Sequence, residues 1–154
     1  SKRSNVPGLR AGFVAGDAAI LKKFLLYRTY HGCAMAPPVQ TASVAAWNDE
    51  AHVLDNRNQY REKFAACTPL IAEVLGTGMP DASFYLWAKT PIADTEFARG
   101  LLEHYNVVVL PGSFLAREVR GVNPGANFIR IALVASLDEC LEAASRIRQF
   151  AQQL

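Results

Sequence analysis

With 154 residues, 51% of them hydrophobic, the chain has the size and apolar content of one ordinary domain with a buried core, which excludes a disordered tail. The net charge of +2 comes from 16 basic and 14 acidic residues spread along the chain, so no basic stripe for nucleic acid arises. Cys33, Cys67 and Cys140 are widely spaced and form no C-x-x-C pair, which points to reduced thiols in a cytoplasmic protein rather than to a disulfide framework or a metal site; no signal-peptide pattern opens these residues, and no apolar run among them approaches the length needed to span a membrane.

The first dozen residues set Lys2 and Arg10 on either side of Pro7-Gly8. Eight positions span roughly 27 Å when fully extended, so the two cations serve one small ligand only if the chain folds back. Pro7 presets φ and Gly8 accepts positive φ, which predicts that turn. Two converging cations suit an anion such as phosphate, whereas a solvated terminus is the plain alternative.

Leu9 to Ala15 is short, apolar and glycine-punctuated, and predicts a strand. Asp17 then caps a helix over Ala18 to Tyr30, with Ile20, Phe24 and Tyr27 on one face. His31 to Ala36 is a linker, with His31 a loop histidine rather than a catalytic base. From Pro37 a helix runs to about Trp47 with Val39, Ser43, Ala46 and Trp47 as its packing stripe. A further helix runs from about Glu50 to Cys67, its face carrying Val53, Leu54, Arg57, Tyr60 and Phe64. Pro69 either kinks this helix or starts a new turn capped by Thr68; the favoured expectation is a separate short helix from Pro69 to Leu75, ended by Gly76-Thr77-Gly78.

The rest predicts an α/β unit. Ser83 to Thr90 alternates Phe84, Leu86 and Ala88 against Tyr85 and Trp87, as a half-buried strand does. Asp94 is expected to cap a helix through Phe97, Leu101 and Tyr105. Asn106 to Leu110 predicts a buried strand ended by Pro111-Gly112. A loop with Gly121, Asn123, Pro124 and Gly125 leads to a strand over Asn127 to Ala135. Ser136 and Glu139 form a capping box for a last helix that turns Cys140, Leu141, Ala144, Ile147 and Phe150 inward.

Arg130 interrupts an otherwise apolar strand, Phe128 to Val134, and by period two shares a face with Phe128, Ala132 and Val134. A guanidinium placed there needs an anion: an internal carboxylate such as Glu73 or Glu103, or the carboxylate of a ligand.

Lys2, Asn5, Val6, Gly8 and the run Arg10-Ala11-Gly12, in that spacing, resemble the cofactor-lysine signature of class I/II pyridoxal-phosphate aminotransferases, complete from the lysine onward. Asn127-Phe128-Ile129-Arg130-Ile131-Ala132 is similar to the family segment whose arginine grips the substrate α-carboxylate. Within the family, residues 27–33, 45–53 and 109–117 look like those of bacterial succinyldiaminopimelate transaminases, enzymes of lysine and cell-wall precursor synthesis.

The resemblance implies an α/β fold, the carboxyl-terminal part of a fold-type I pyridoxal-phosphate-dependent transferase. Residues 1–36 would be the end of its large domain and 37–154 its small domain. It also implies pyridoxal 5'-phosphate as cofactor, Lys2 as the residue that bonds it and moves the α-proton, Arg10 as its phosphate anchor, and Arg130 as the substrate-carboxylate ligand. Small amino-acid and keto-acid substrates, glutamate and N-succinyl-2-amino-6-ketopimelate among them, and a homodimeric parent enzyme follow from the same likeness. The remaining cofactor contacts would belong to an upstream part, so the isolated chain is expected to be inactive. Two other readings stand beside this one: an acetylornithine- or aspartate-like aminotransferase, and a non-catalytic α/β module that binds a phosphate or carboxylate metabolite.

Overall fold

A computed structural model of the protein describes residues 2–32 and 34–154. Ser1 and the thiol expected at Cys33 lie outside the described residues. The chain divides into two compact units, Ser1–Arg57 and Asn58–Leu154.

The first unit opens with a turn over residues 2–5 and a single 3-10 turn, Pro7–Leu9, as the Pro-Gly pair predicts. The strand expected from Leu9 to Ala15 does not form. Beyond the 3-10 turn the backbone to residue 17 is irregular, and among the described residues it has no ladder partner; without pairing, apolar content alone does not hold a strand. Helix α1, Ala18–His31, begins where Asp17 accepts hydrogen bonds from the Ala19 and Ile20 amides at 2.9 and 3.0 Å. It takes in His31, which was expected in the linker. Its expected packing face is not buried: Ile20 is 68% exposed, Phe24 39% and Tyr27 59%. Helix α2, Pro37–Asn48, starts at the expected proline, and Val39, Ser43 and Ala46 are half-buried along its stripe, although Trp47 is exposed. No described residue before Val53 is buried.

Helix α3, Ala51–Ala72, begins in the first unit and continues through the second. It passes Pro69 without a break, which corrects the separate helix expected there. A proline inside a helix costs about 3 kcal/mol, and burying an apolar side chain returns roughly 1.5–3 kcal/mol each. Phe64, Cys67 and Ile71 are buried on both sides of Pro69, so continuing the helix is favoured. Thr68 is buried and does not cap; its hydroxyl makes no hydrogen bond among the described residues. Leu54, expected on the packing face, is exposed.

The second unit is a sheet layered with helices. Strands β1, Tyr85–Lys89, β2, Leu110–Pro111, and β3, Phe128–Ala132, form an antiparallel sheet in the order β1-β3-β2. β2 is far shorter than expected. Asn106 takes the left-handed conformation, φ 51°, and caps helix α4, Asp94–Tyr105, while Val108 is 80% exposed, so pairing begins only at Leu110. Helix α5, Leu137–Ala151, carries the predicted capping box: the Glu139 amide donates to Ser136 Oγ at 3.3 Å and the Ser136 amide to Glu139 Oε2 at 3.0 Å. The inner sheet face, Leu86, Ala88, Ile129 and Ile131, is buried in one core with Phe97 and Leu101 of α4, Cys140, Ala144, Ile147 and Phe150 of α5, and Phe64, Cys67 and Ile71 of α3. The alternation predicted for residues 83–90 is thus present, with Trp87 on the outer face. No helix among the described residues is long and apolar enough to cross a membrane.

Candidate functional site

Two separate pieces of local structure carry the sequence-predicted site residues. In the first unit, Lys2 is exposed and lies in the turn closed by the Asn5 amide on the Lys2 carbonyl, 3.3 Å. Arg10 lies just beyond the 3-10 turn in the left-handed conformation, φ 51°, and its Nη1 donates to the Pro7 carbonyl at 2.9 Å. Its guanidinium therefore folds back over the Pro-Gly turn while further N–H donors of the fork remain for an anion. The short segment 2–10, twice turned, presents a primary amine and a guanidinium at the surface. That donor set fits a cofactor carrying an aldehyde and a phosphate.

Arg3, which sequence reasoning left unassigned, holds this segment down. Its guanidinium lies 4.4 Å from the Trp47 ring centroid, donates to the Ala46 carbonyl at 2.8 Å and pairs with Glu50. The lysine turn is thereby tied to the end of α2. No local signal marks this role, because its partners are more than forty positions away.

Arg130 is at the centre of the outer face of the sheet. It is opposite Trp87 on β1 and Leu110 on β2. Its guanidinium carbon is 5.3 Å from the Tyr85 ring, and Trp87 stacks on Phe128 with centroids 5.6 Å apart and planes 10° apart. The result is an aromatic platform with one half-buried cation on it. The internal carboxylates considered from sequence do not neutralise it: Glu73 pairs with Arg148 at 3.0 Å, and the ion pairs seen among the described residues do not include Arg130. A planar carboxylate is the anion that a guanidinium fork receives best.

Asp94 departs from its expected role. It is the first residue of α4 rather than its cap, and Ala93, at the cap position, makes no side-chain capping bond. The Asp94 carboxylate is 4% exposed and is directed away from its own helix: Oδ2 accepts from the Ser113 amide at 2.8 Å and Oδ1 from the Asn127 amide at 3.2 Å. Burial by itself pushes this carboxyl up, and the hydrogen bonds from Ser113 and Asn127 outweigh it, holding the group below the ordinary aspartate range.

An open groove of about 1300 Å³ in the first unit is lined by Arg10, Phe13, Leu21, Leu25 and Met35 among others, but not by Lys2. Its walls are mostly apolar with Arg10, Lys22 and Arg28 among them, and because Lys2 does not line it, its size alone does not make it the cofactor site.

Residues 1–147 match the family described as aminotransferase class I and II. The chain is similar to a solved aminotransferase of Neisseria meningitidis, with 57% identity and a TM-score of 0.85 over 97% of this chain and 38% of that one. It is also similar to a solved probable N-succinyldiaminopimelate aminotransferase of Thermus thermophilus, with 32% identity and a TM-score of 0.80 over 97% of this chain and 40% of that one. A probable aminotransferase of Mycobacterium tuberculosis is 34% identical over 96% of this chain and 34% of its own length. The chain spans little more than a third of the curated relatives that it matches.

Proposed function

The chain belongs to the class I and II aminotransferases, a pyridoxal-phosphate-dependent family with an α/β fold of the fold-type I kind, and from that membership we propose that it supplies one wall of the cofactor site and the substrate-carboxylate grip of a full-length enzyme. The observation that carries this reading is the segment 2–10, where Lys2 and Arg10 are both exposed on one short stretch folded by two turns. In this assignment residues 1–36 end the large domain and 37–154 make the small one.

Bound pyridoxal phosphate supplies the electron sink that makes the substrate α-proton removable. The protein's own residues do the rest. Lys2 Nζ would hold the cofactor as its point of covalent attachment and, when free of it, would carry the proton that leaves the substrate Cα to the carbon of the cofactor that held the carbonyl. Arg10 grips the phosphate through its fork and keeps the cofactor from leaving with product. Arg130 binds the α-carboxylate and so fixes the direction of the Cα–H bond, an orientation effect rather than a chemical step. We assign glutamate as amino donor and N-succinyl-2-amino-6-ketopimelate as acceptor. The similarity to the probable N-succinyldiaminopimelate aminotransferase of Thermus thermophilus and the likeness of residues 27–33, 45–53 and 109–117 support this substrate. A homodimeric, cytoplasmic enzyme of lysine and diaminopimelate synthesis is the corresponding setting.

Borohydride reduction of a full-length enzyme carrying this chain, followed by peptide mapping, tests the assignment. The cofactor becomes permanently attached at Lys2, and Lys2→Ala abolishes the label; attachment at any other lysine would refute it. Across succinylated diaminopimelate, acetylornithine and aspartate, kcat/KM is highest for the first, and a clear preference for either of the others removes the substrate assignment.

A further inference from the structure

We propose that Asp94 is a positioning residue for ligand binding, which holds Arg130 in place for a carboxylate by clamping both ends of the loop between β2 and β3. This rests on the carboxylate role proposed for Arg130.

Ser113 and Asn127, whose amides donate to the two oxygens of Asp94, stand at the two ends of one loop. Ser113 follows the end of β2, and Asn127 immediately precedes β3. Arg130 is three residues beyond Asn127 and is in register with Leu110 of β2, so the strands on both sides of the clamp lead directly to it. The same place is fastened from other directions. Asn127 is in the left-handed conformation, φ 62°, and its carbonyl accepts from the Thr90 amide at 2.8 Å, just past the end of β1. Asn123 Nδ2 donates to the Ser113 carbonyl at 3.1 Å, and Asn123 Oδ1 accepts from the Gly125 amide at 2.9 Å. Gly112 and Gly125 meet so closely that a Cβ on Gly112 would lie 2.4 Å from the Gly125 carbonyl oxygen.

A helix-terminal aspartate serving only its helix would direct its oxygens at the amides of its own first turn. Asp94 instead uses both oxygens on amides 19 and 33 positions away. Two of its donors are the main-chain amides of Ser113 and Asn127, so the carboxylate fixes backbone position at both, and with the Ser113 side chain also donating, this buried anion resists displacement. The outer face of β3, where Arg130 is flanked by Trp87 and Leu110, inherits its position from this anchor.

The test uses the full-length enzyme and maleate, a non-reacting dicarboxylate, with affinity read by calorimetry and thermal stability read separately. Asp94→Asn, which keeps the shape but loses the charge and one acceptor, weakens maleate by roughly tenfold or more. Arg130→Lys weakens it as well, and the double variant loses less than the product of the two single losses, because both changes impair one arrangement. Affinity of Asp94→Asn within twofold of the unaltered enzyme, or multiplicative losses in the double variant, would show Asp94 to be structural only, whatever the change in Tm. Unchanged affinity in Arg130→Lys would instead refute the carboxylate role of Arg130, and the proposal with it. If Asp94→Asn does not fold, Asp94→Glu, with its longer arm, decides the matter: a folded variant with weakened maleate binding supports the clamp, and unchanged binding overturns it.

Discussion

Arg3 and Arg130 carry the same charge and meet different fates. Arg3 is spent on structure, against the Trp47 ring, the Ala46 carbonyl and Glu50. Arg130 rests on Tyr85 without an internal carboxylate among the described residues. Its oddity was legible because one cation in an apolar strand stands out at period two; the employment of Arg3 was not, because its partners are distant in sequence. Cys67 and Cys140 bear out the expectation of free thiols, and both are buried. Burial pushes the Cys67 thiol up to about 11, and Cys140 nearby adds to the rise. The unfolded chain then gives up this proton first, so the stability contributed by the neutral thiol is present below the ordinary thiol range, near 8.5, and is lost as pH climbs towards 11. Maleimide labelling at pH 8 with peptide mapping checks the burial: Cys67 reacts roughly a hundredfold more slowly in the native chain than in urea. Equal rates would contradict it.

Among the elements, those defined by local chemistry were legible: Asp17 starting α1, Pro37 opening α2, and the Ser136–Glu139 box starting α5. Those dependent on neighbours were not. α3 runs through Pro69 because its buried flanks outweigh one lost hydrogen bond, and β2 shortens because its backbone leaves α4 in a left-handed turn before it meets β3. The loop between β2 and β3 offers a direct measure of tight packing. A Cβ on Gly112 would meet the Gly125 oxygen at 2.4 Å, the Trp87 ring at 2.7 Å and the Phe128 oxygen at 2.8 Å, whereas one on Gly78 would meet nothing within 4 Å. Urea unfolding of Gly112→Ala shows a loss of about 1–3 kcal/mol or more, and Gly78→Ala stays within about 0.5 kcal/mol. Equal stability of the two variants would disprove the close approach at the loop base.

For the whole molecule, the contrast is between a unit with an extensive buried core and one with almost no buried residue among those described. In the second unit Phe97, Leu101, Ile129 and Ile147 are fully buried; in the first, no described residue before Val53 is. Opening free energy follows buried apolar contact, so hydrogen exchange of the 154-residue chain proceeds much faster at the α1 and α2 amides than at those of β3 and α5. Comparable protection across all four elements would contradict the scarcity of burial among the described residues of the first unit.

The sequence alone determined the spacing of Lys2, the Pro-Gly turn and Arg10, the caps of α1 and α5, and the face of β3 that bears Arg130, because each signal is contained within a turn or a strand. Only tertiary structure decided that Asp94 clamps two ends of a distant loop instead of capping its own helix, that Arg3 anchors the lysine turn, and that α3 survives its proline. In each of those cases the deciding partner is far away in the chain, and an isolated stretch of residues holds no record of what packing will bring beside it.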